Sequence, residues 1–415
     1  MQDGRYREAV SQLKQAVAIE RQPLAEDHPS RLASQHELGR AYLRNGQIGD
    51  AIQLLKQVVA IKQKTLTEDH PSRLTSQHEL GRAYIENGQI SDAIQLLKQA
   101  VAIERQTLAE DHPSRLASQQ VLGGAYLENG QIGDAIQLLE QVVAIERQTL
   151  AEDHPSRLAS QHELGGAYLQ NGQIGDAIQL LKQVVAIKQQ TLTEDHPSRL
   201  TSQHELGRAY LRNGQIGDAI QLLKQVVAIK QQTLTEDHPS RLTSQHELGR
   251  AYLQNGQIGD AIQLLEKVVA IKQQTLAEDH PSRLASQHEL GRAYLQNGQI
   301  GDAIQLLEKG VAIERQTLAE GHPDRLTSQH ELSRAYLQNG QIGDAIQLLK
   351  KVVAIRQTLA ENHPDRLASQ HDLGRASLQN RLTVCASPPV AIGEGKIPVK
   401  AIPVKESYGP QSVTV

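Results

Sequence analysis

Apolar side chains recur along most of this chain at spacings of three and four. In one stretch Leu32, Leu38, Ala41 and Tyr42 share a face, Asn45-Gly46 interrupts, and Ile48, Ala51, Ile52, Leu55, Val58, Val59 and Leu66 share another. Such spacing lines up side chains on one side of an α-helix. The stretch therefore predicts two helices, A and B, joined at Asn45-Gly46, a pair that tolerates the left-handed backbone on which helices end. Helix B also carries Leu54 and Ile61 off its main stripe, which predicts burial on two sides.

The whole pattern then repeats. His-Pro pairs stand at His28, His70, His112, His154, His196, His238, His280 and His322, a period of 42 residues, and again at His363 after a one-residue deletion. Asp69 or His70 is placed to cap the next helix A, with Pro71 in a first turn where its missing N–H costs nothing. The expected fold is all-α, a right-handed superhelical α-solenoid of helical hairpins in which each hairpin touches its neighbours. Residues 28–362 form eight complete units, flanked by an N-terminal half-repeat at 1–27 with helix B alone and a C-terminal half-repeat at 363–381 with helix A alone.

The ends depart from the pattern. Asp3 to Val10 aligns with Asn45 to Ile52, so the chain starts halfway through a repeat and is expected to leave Val10, Leu13 and Val17 partly uncovered; either something covers them or the chain is a piece of a longer one. Near the other end Ser377 replaces the repeated tyrosine and Asn380-Arg381 replaces Asn-Gly. From 382 to 415 the chain holds five of its 15 prolines and the string KIPVKAIPVK, which predicts a disordered tail.

Gln35-x-x-Leu38-Gly39-x-x-Tyr42, followed by Ala51-x-x-x-Leu55, resembles a tetratricopeptide repeat (TPR), with Gln35 where that pattern has Trp and Leu55 where it has Phe. The 42-residue period and the segment VVAIKQKTLTEDHPSRL resemble the kinesin-light-chain type of repeat. Near-identical arrays are also similar to the repeat halves of fungal and bacterial NLR-like (NB-ARC/NACHT-TPR) signalling ATPases. The resemblance covers residues 4–380 and implies a groove, lined by helix A, that binds extended peptides or partner helices. No heptad-patterned segment for a kinesin-binding coiled coil and no Walker motif accompany it.

With Leu38, Gly39, Ala41 and Tyr42 used for packing, the opposite face of helix A keeps His36, Arg40, Leu43 and Arg44. His36, Arg40 and Arg44 follow i, i+4, i+8, one continuous stripe. Gln120, Gly124 and Gly166 break the resulting ladder, and Glu86 and Glu128 stand where Arg44 does. The unbroken part comprises His204, Arg208, Arg212, His246, Arg250, His288, Arg292, His330 and Arg334. An acidic or phosphorylated segment of a protein or peptide partner is expected there, arginine forking to its oxygens. The plainer alternative is a solvated polar face, its field partly neutralised by Glu37. A histidine ladder further predicts affinity that weakens as pH rises through about 6.5.

The string Asp27-His28-Pro29-Ser30 invites a hydrolytic reading, but a triad needs groups converging from separate parts of a fold beside an oxyanion hole. Neighbours ahead of a helix fan out instead, so the string reads as punctuation and no catalytic residue is nominated: the protein is not expected to be an enzyme. All 17 histidines occupy two repeated positions and no His-Glu-x-x-His occurs, so neither a metal nor another cofactor is expected. A net charge of -4 provides no basic field for nucleic acid. Cys385 stands alone and no apolar run spans a membrane, which suits a cytoplasmic adaptor without nucleic-acid, membrane or small-molecule ligands. The alternative is the ligand-sensing array of a larger NLR-like ATPase, present as a fragment.

Overall fold

The computed structural model describes residues 2–386, with side chains from 7 to 382. The chain divides between Gln299 and Ile300 into two compact units, and every element among the described residues is an α-helix. In the first unit α1 (Gln2–Glu20) precedes six A–B pairs: α2 (Pro29–Arg44) with α3 (Ile48–Thr65), α4 (Pro71–Glu86) with α5 (Ile90–Thr107), α6 (Pro113–Glu128) with α7 (Ile132–Thr149), α8 (Pro155–Gln170) with α9 (Ile174–Thr191), α10 (Pro197–Arg212) with α11 (Ile216–Thr233), and α12 (Pro239–Gln254) with α13 (Ile258–Thr275). It closes on α14 (Pro281–Gln296). The second unit holds α15 (Ile300–Thr317), α16 (Pro323–Gln338), α17 (Ile342–Arg356) and α18 (Pro364–Ala386). Both are solenoids of helical hairpins.

Each A helix starts on a histidine. His70 takes an extended backbone and its Nδ1 accepts the Ser72 N–H at 3.2 Å, with Pro71 following in the first turn. The cap is therefore His70 rather than Asp69. In the Asp-His-Pro-Ser string the ring nitrogen whose N–H a triad would give to the aspartate, Nδ1, instead accepts a backbone N–H. From α2 to α16 each A helix ends in a Schellman turn: Gln47 N–H reaches Tyr42 O at 2.9 Å, Gly46 N–H reaches Leu43 O at 3.0 Å, and Gly46 carries the left-handed φ of 75°. One further tie was not foreseen from the sequence. Arg73 Nη1 donates to Leu66 O at 3.1 Å, fastening the end of one helix B to the start of the next helix A.

Helix B lies between two A helices. Leu43, Ala51, Ile52, Leu55, Val59, Leu80 and Ala83 form one cluster spanning α2, α3 and α4. Within a hairpin the helices approach at Gly39, where a Cβ would stand 2.7 Å from Leu55 Cγ. Leu43 was expected on the open face but is buried, as are Leu169, Leu211 and Leu253, because the following B helix covers it.

The half-repeat expectation also needs correction in detail. Val10 and Val17 are buried against Leu38, Ala41 and Leu54, and Leu13 is half-buried, because helix A of the next hairpin closes over them. Among the described side chains of α1, the large apolar residue left exposed is Ile19. In the second unit α18 runs past Asn380 to Ala386, since Arg381 lacks the freedom of glycine to take the left-handed turn. The tail expected from 382 thus begins as helix, and its remainder lies outside the described residues.

Candidate interaction face

Up to His330 the A-helix histidines are not open to a groove, whereas His371 on α18 is exposed. His36, His204 and His330 are buried, and His78, His162, His246 and His288 are half-buried. Four of them share one partner in the next repeat: His36 Nδ1 lies 3.2 Å from Ser76 Oγ, His162 3.3 Å from Ser202, His204 3.3 Å from Ser244, and His246 3.1 Å from Ser286. Burial, helped by a nearby lysine, pushes the imidazoles of His162 and His204 down to about 4 and that of His246 to about 3. These rings are neutral at physiological pH. The expected loss of affinity through pH 6.5 has no support from them.

That lysine belongs to a buried column on helix B. Lys62, Lys188, Lys230 and Lys272 are almost fully enclosed, and their Nζ atoms donate to Ser76, Ser202, Ser244 and Ser286 at 2.8 Å. Glu104, Glu146, Glu314 and Arg356 occupy the same repeat position. The serine adapts by reversing its role: Ser118 and Ser328 donate to Oε1 of Glu104 and Glu314 at 3.1 and 2.9 Å. Burial pushes Lys188, Lys230 and Lys272 down to about 8 and Glu104 and Glu314 up to about 7. Sequence reasoning missed this layer. Its signal was present, since Lys62 follows Val59 by three and Leu55 by seven, on the apolar stripe, with Ser76 fourteen residues later.

The arginines do form a row, but alternating with glutamates. Arg208 Nη1 pairs with Glu205 at 3.0 Å and its Nε approaches Glu247 of the next repeat at 3.8 Å. Arg250 repeats this with Glu247 at 3.0 Å and Glu289 at 3.6 Å, and Arg292 pairs with Glu289 at 3.2 Å. Their side chains stay about one third exposed. Arg212 is exposed, and its Nη1 donates to Leu169 O at 2.7 Å. In the second unit Arg334 pairs with Glu331 at 3.2 Å and Asp372 at 3.9 Å, while Asp372 also meets His330 Nε2 at 3.0 Å. The structure thus brings Arg208, Arg250 and Arg292 together, sinks His204 and His246 among inter-repeat contacts, and replaces a cationic strip by a ladder of both signs.

On the other side of the hairpins, the tyrosines pack against the preceding helix B. Lys182 Nζ lies 5.4 Å from the Tyr210 ring centre, and where the residue is Glu140 it accepts the Tyr168 hydroxyl at 2.7 Å. Both arrangements satisfy the local side chains. Among the described residues no three His, Cys, Asp or Glu side chains gather as metal ligands, and no helix is long and apolar enough to cross a membrane.

Comparison with known proteins adds to this geometry. A family model described as tetratricopeptide repeat matches residues 1–64, 72–148, 114–190, 156–232, 198–274, 240–316 and 282–358, and a second model of the same description matches 36–107. The crystal structure of a Podosopora anserina protein, assigned as a kinesin light chain with nearly identical TPR-like repeats, is 61% identical, covering 50% of this chain and 97% of that one with a TM-score of 0.44. A Rap protein complexed with competence and sporulation factor is 11% identical over 85% of this chain and 99% of its own, with a TM-score of 0.58. Apo RapI is 12% identical over 68% and 97%, with a TM-score of 0.52. A search of curated proteins returned no match.

Proposed function

The chain belongs to the tetratricopeptide repeat family, and from that premise we propose that it is a non-enzymatic, cytoplasmic interaction scaffold whose A-helix face receives an acidic or phosphorylated peptide segment of a partner protein. The observation that carries this reading is the row Arg208, Arg250, Arg292, one guanidinium per repeat, each still about one third exposed, with Arg212 exposed beside it. A peptide laid along the row meets the same donor at each repeat. His204, His246 and His288 support the helices beneath it, and in the second unit Arg334 offers the corresponding guanidinium above the buried His330.

The glutamates of the ladder do not preclude this. Glu247 and Glu289 are buried while each guanidinium keeps about one third of its side chain exposed, so an incoming phosphate forks to the outward N–H groups and leaves the inner ones on the glutamates. A Rap protein, which shares the fold, is itself known in complex with competence and sporulation factor. The test is anisotropy of labelled oligoglutamate and phosphoserine peptides at low and high salt. Arg208→Glu combined with Arg250→Glu is expected to lose binding while keeping helicity; binding unaffected by the pair, or indifferent to salt, overturns the reading.

A further inference from the structure

The ion ladder is interrupted at Glu163, on α8. Where both arginines are present such a glutamate is held by the arginine three residues on and by the arginine of the preceding repeat, as Glu247 is by Arg250 and Arg208. For Glu163 those two positions are Gly166 and Gly124. Its Oε1 accepts from Gln120 Nε2 at 3.1 Å, but its Oε2 is buried without a hydrogen-bond partner. A Cβ on Gly124 would stand 3.7 Å from that oxygen, an ordinary contact, and one on Gly166 would meet nothing within 4 Å. The positions from which two arginines reach a glutamate in other repeats are therefore bare beside an unsatisfied carboxylate.

The neighbouring charges agree with this. Burial pushes the Glu163 carboxyl up to about 7, against the pull of the Gln120 hydrogen bond and the Arg82 charge, and Glu146 adds to the rise. Val121 stands where other repeats place the glutamate, so Arg82 has a single long contact, 3.9 Å to Glu79, and does not reach Glu163 within ion-pair distance.

We infer that the A-helix face at α6 and α8 binds an arginine side chain of the partner segment, its guanidinium docking on Glu163 through the gap left by Gly124 and Gly166. The inference rests on the reading of this face as the docking face and adds what the third and fourth repeats select. Arginine is favoured over lysine because the ladder shows a planar fork reaching two carboxylates, which a point ammonium cannot copy. Docking also favours the ionised carboxylate, so binding near pH 7 releases protons.

The test is calorimetry of the full chain with a Gly-Arg oligopeptide, a Gly-Lys oligopeptide and the oligoglutamate peptide, in two buffers of different ionisation heat. Gly-Arg is expected to bind with proton release and to weaken about tenfold or more in Glu163→Gln. The double variant Gly124→Arg with Gly166→Arg completes the ladder internally; it is expected to stay folded and to lose the same binding. Equal affinity in wild type and both variants, or Gly-Lys binding as tightly as Gly-Arg, overturns the inference. Loss of oligoglutamate binding alone counts against the acidic preference and leaves the arginine site standing; retention of oligoglutamate binding without Gly-Arg binding overturns the arginine site alone.

Discussion

Lys230 Nζ on α11 lies 2.8 Å from Ser244 Oγ on α12, joining the second helix of one repeat to the first helix of the next. Ser244 Oγ is in turn 3.3 Å from His204 Nδ1 on α10. An ammonium has only donors, so Ser244 accepts from Lys230 and gives its own proton to the bare Nδ1 of His204. Ser244→Ala strips a hydrogen bond from a buried ammonium and a donor from a buried ring, at a cost of about 1–3 kcal/mol. Lys230→Met removes the charge itself and keeps the serine–histidine bond, so it is expected to cost less. Urea unfolding of the two variants checks the order; a lysine variant less stable than the serine variant contradicts it.

The same layer sets a pH dependence. His162 and His204 fall to about 4 and His246 to about 3 in the folded chain, against 6.5 for the free ring. A depressed folded value means stability that is present above 6.5 and lost as pH falls toward 4, where the unfolded chain binds the extra protons. Glu104 and Glu314, raised from 4.5 to about 7, slope the other way: their contribution is present below 4.5 and lost as pH rises to 7. Single variants separate the two. His204→Gln, the residue repeat three already carries as Gln120, is expected to flatten the acid limb of melting temperature against pH, and Glu104→Gln to flatten the opposite slope. Parallel wild-type and His204→Gln profiles between pH 4 and 7 refute the assignment.

Two glycines are held for different reasons. A Cβ on Gly249 would lie 2.8 Å from Leu265 Cγ and Cδ2, whereas Gly256 has open space but a φ of 75°. Ser333 occupies the equivalent of Gly249 in the second unit, above a fully buried Leu349, so a small side chain is absorbed there. Gly249→Ala therefore sets strain of about 1–3 kcal/mol against a helix gain of about 1 kcal/mol and is expected to change stability by about 1 kcal/mol. Gly256→Ala costs about 1–2 kcal/mol through its backbone alone. Gly249→Leu is the most damaging of the three. Denaturation midpoints in urea give the ranking.

How far the sequence could be read follows from which contacts are local. Leu38, Gly39, Ala41 and Tyr42, with Asn45-Gly46, fix a hairpin within thirty residues, and the period of 42 says that it is stacked. His36, Arg40 and Arg44 also share a stripe as their spacing requires. The depth of each is set by the neighbouring repeat: Ser76 holds His36 in the interior, and Glu79 receives Arg40 at 3.5 Å. The helical period of one segment carries no information about those contacts. Lys62 was hidden for a related reason, because lysine is rarely buried and its compensation lies fourteen residues away, in Ser76.

The histidine of the His-Pro turn gives the last prediction. His238 has an extended backbone at the start of α12, and its Nδ1 accepts the Ser240 N–H at 3.1 Å. An asparagine carbonyl can accept the same bond from the same position and ranks among the best residues there, whereas alanine cannot. His238→Asn is therefore expected to match the wild type in stability to within a few tenths of a kcal/mol, and His238→Ala to lose about 1 kcal/mol. Peptide binding should follow neither change, since the turn lies at the end of the helix away from Arg250. Any reaction chemistry in the Asp-His-Pro-Ser string would need the imidazole itself, so an asparagine variant that keeps its stability but loses a function of the protein would show that the turn does more than start a helix.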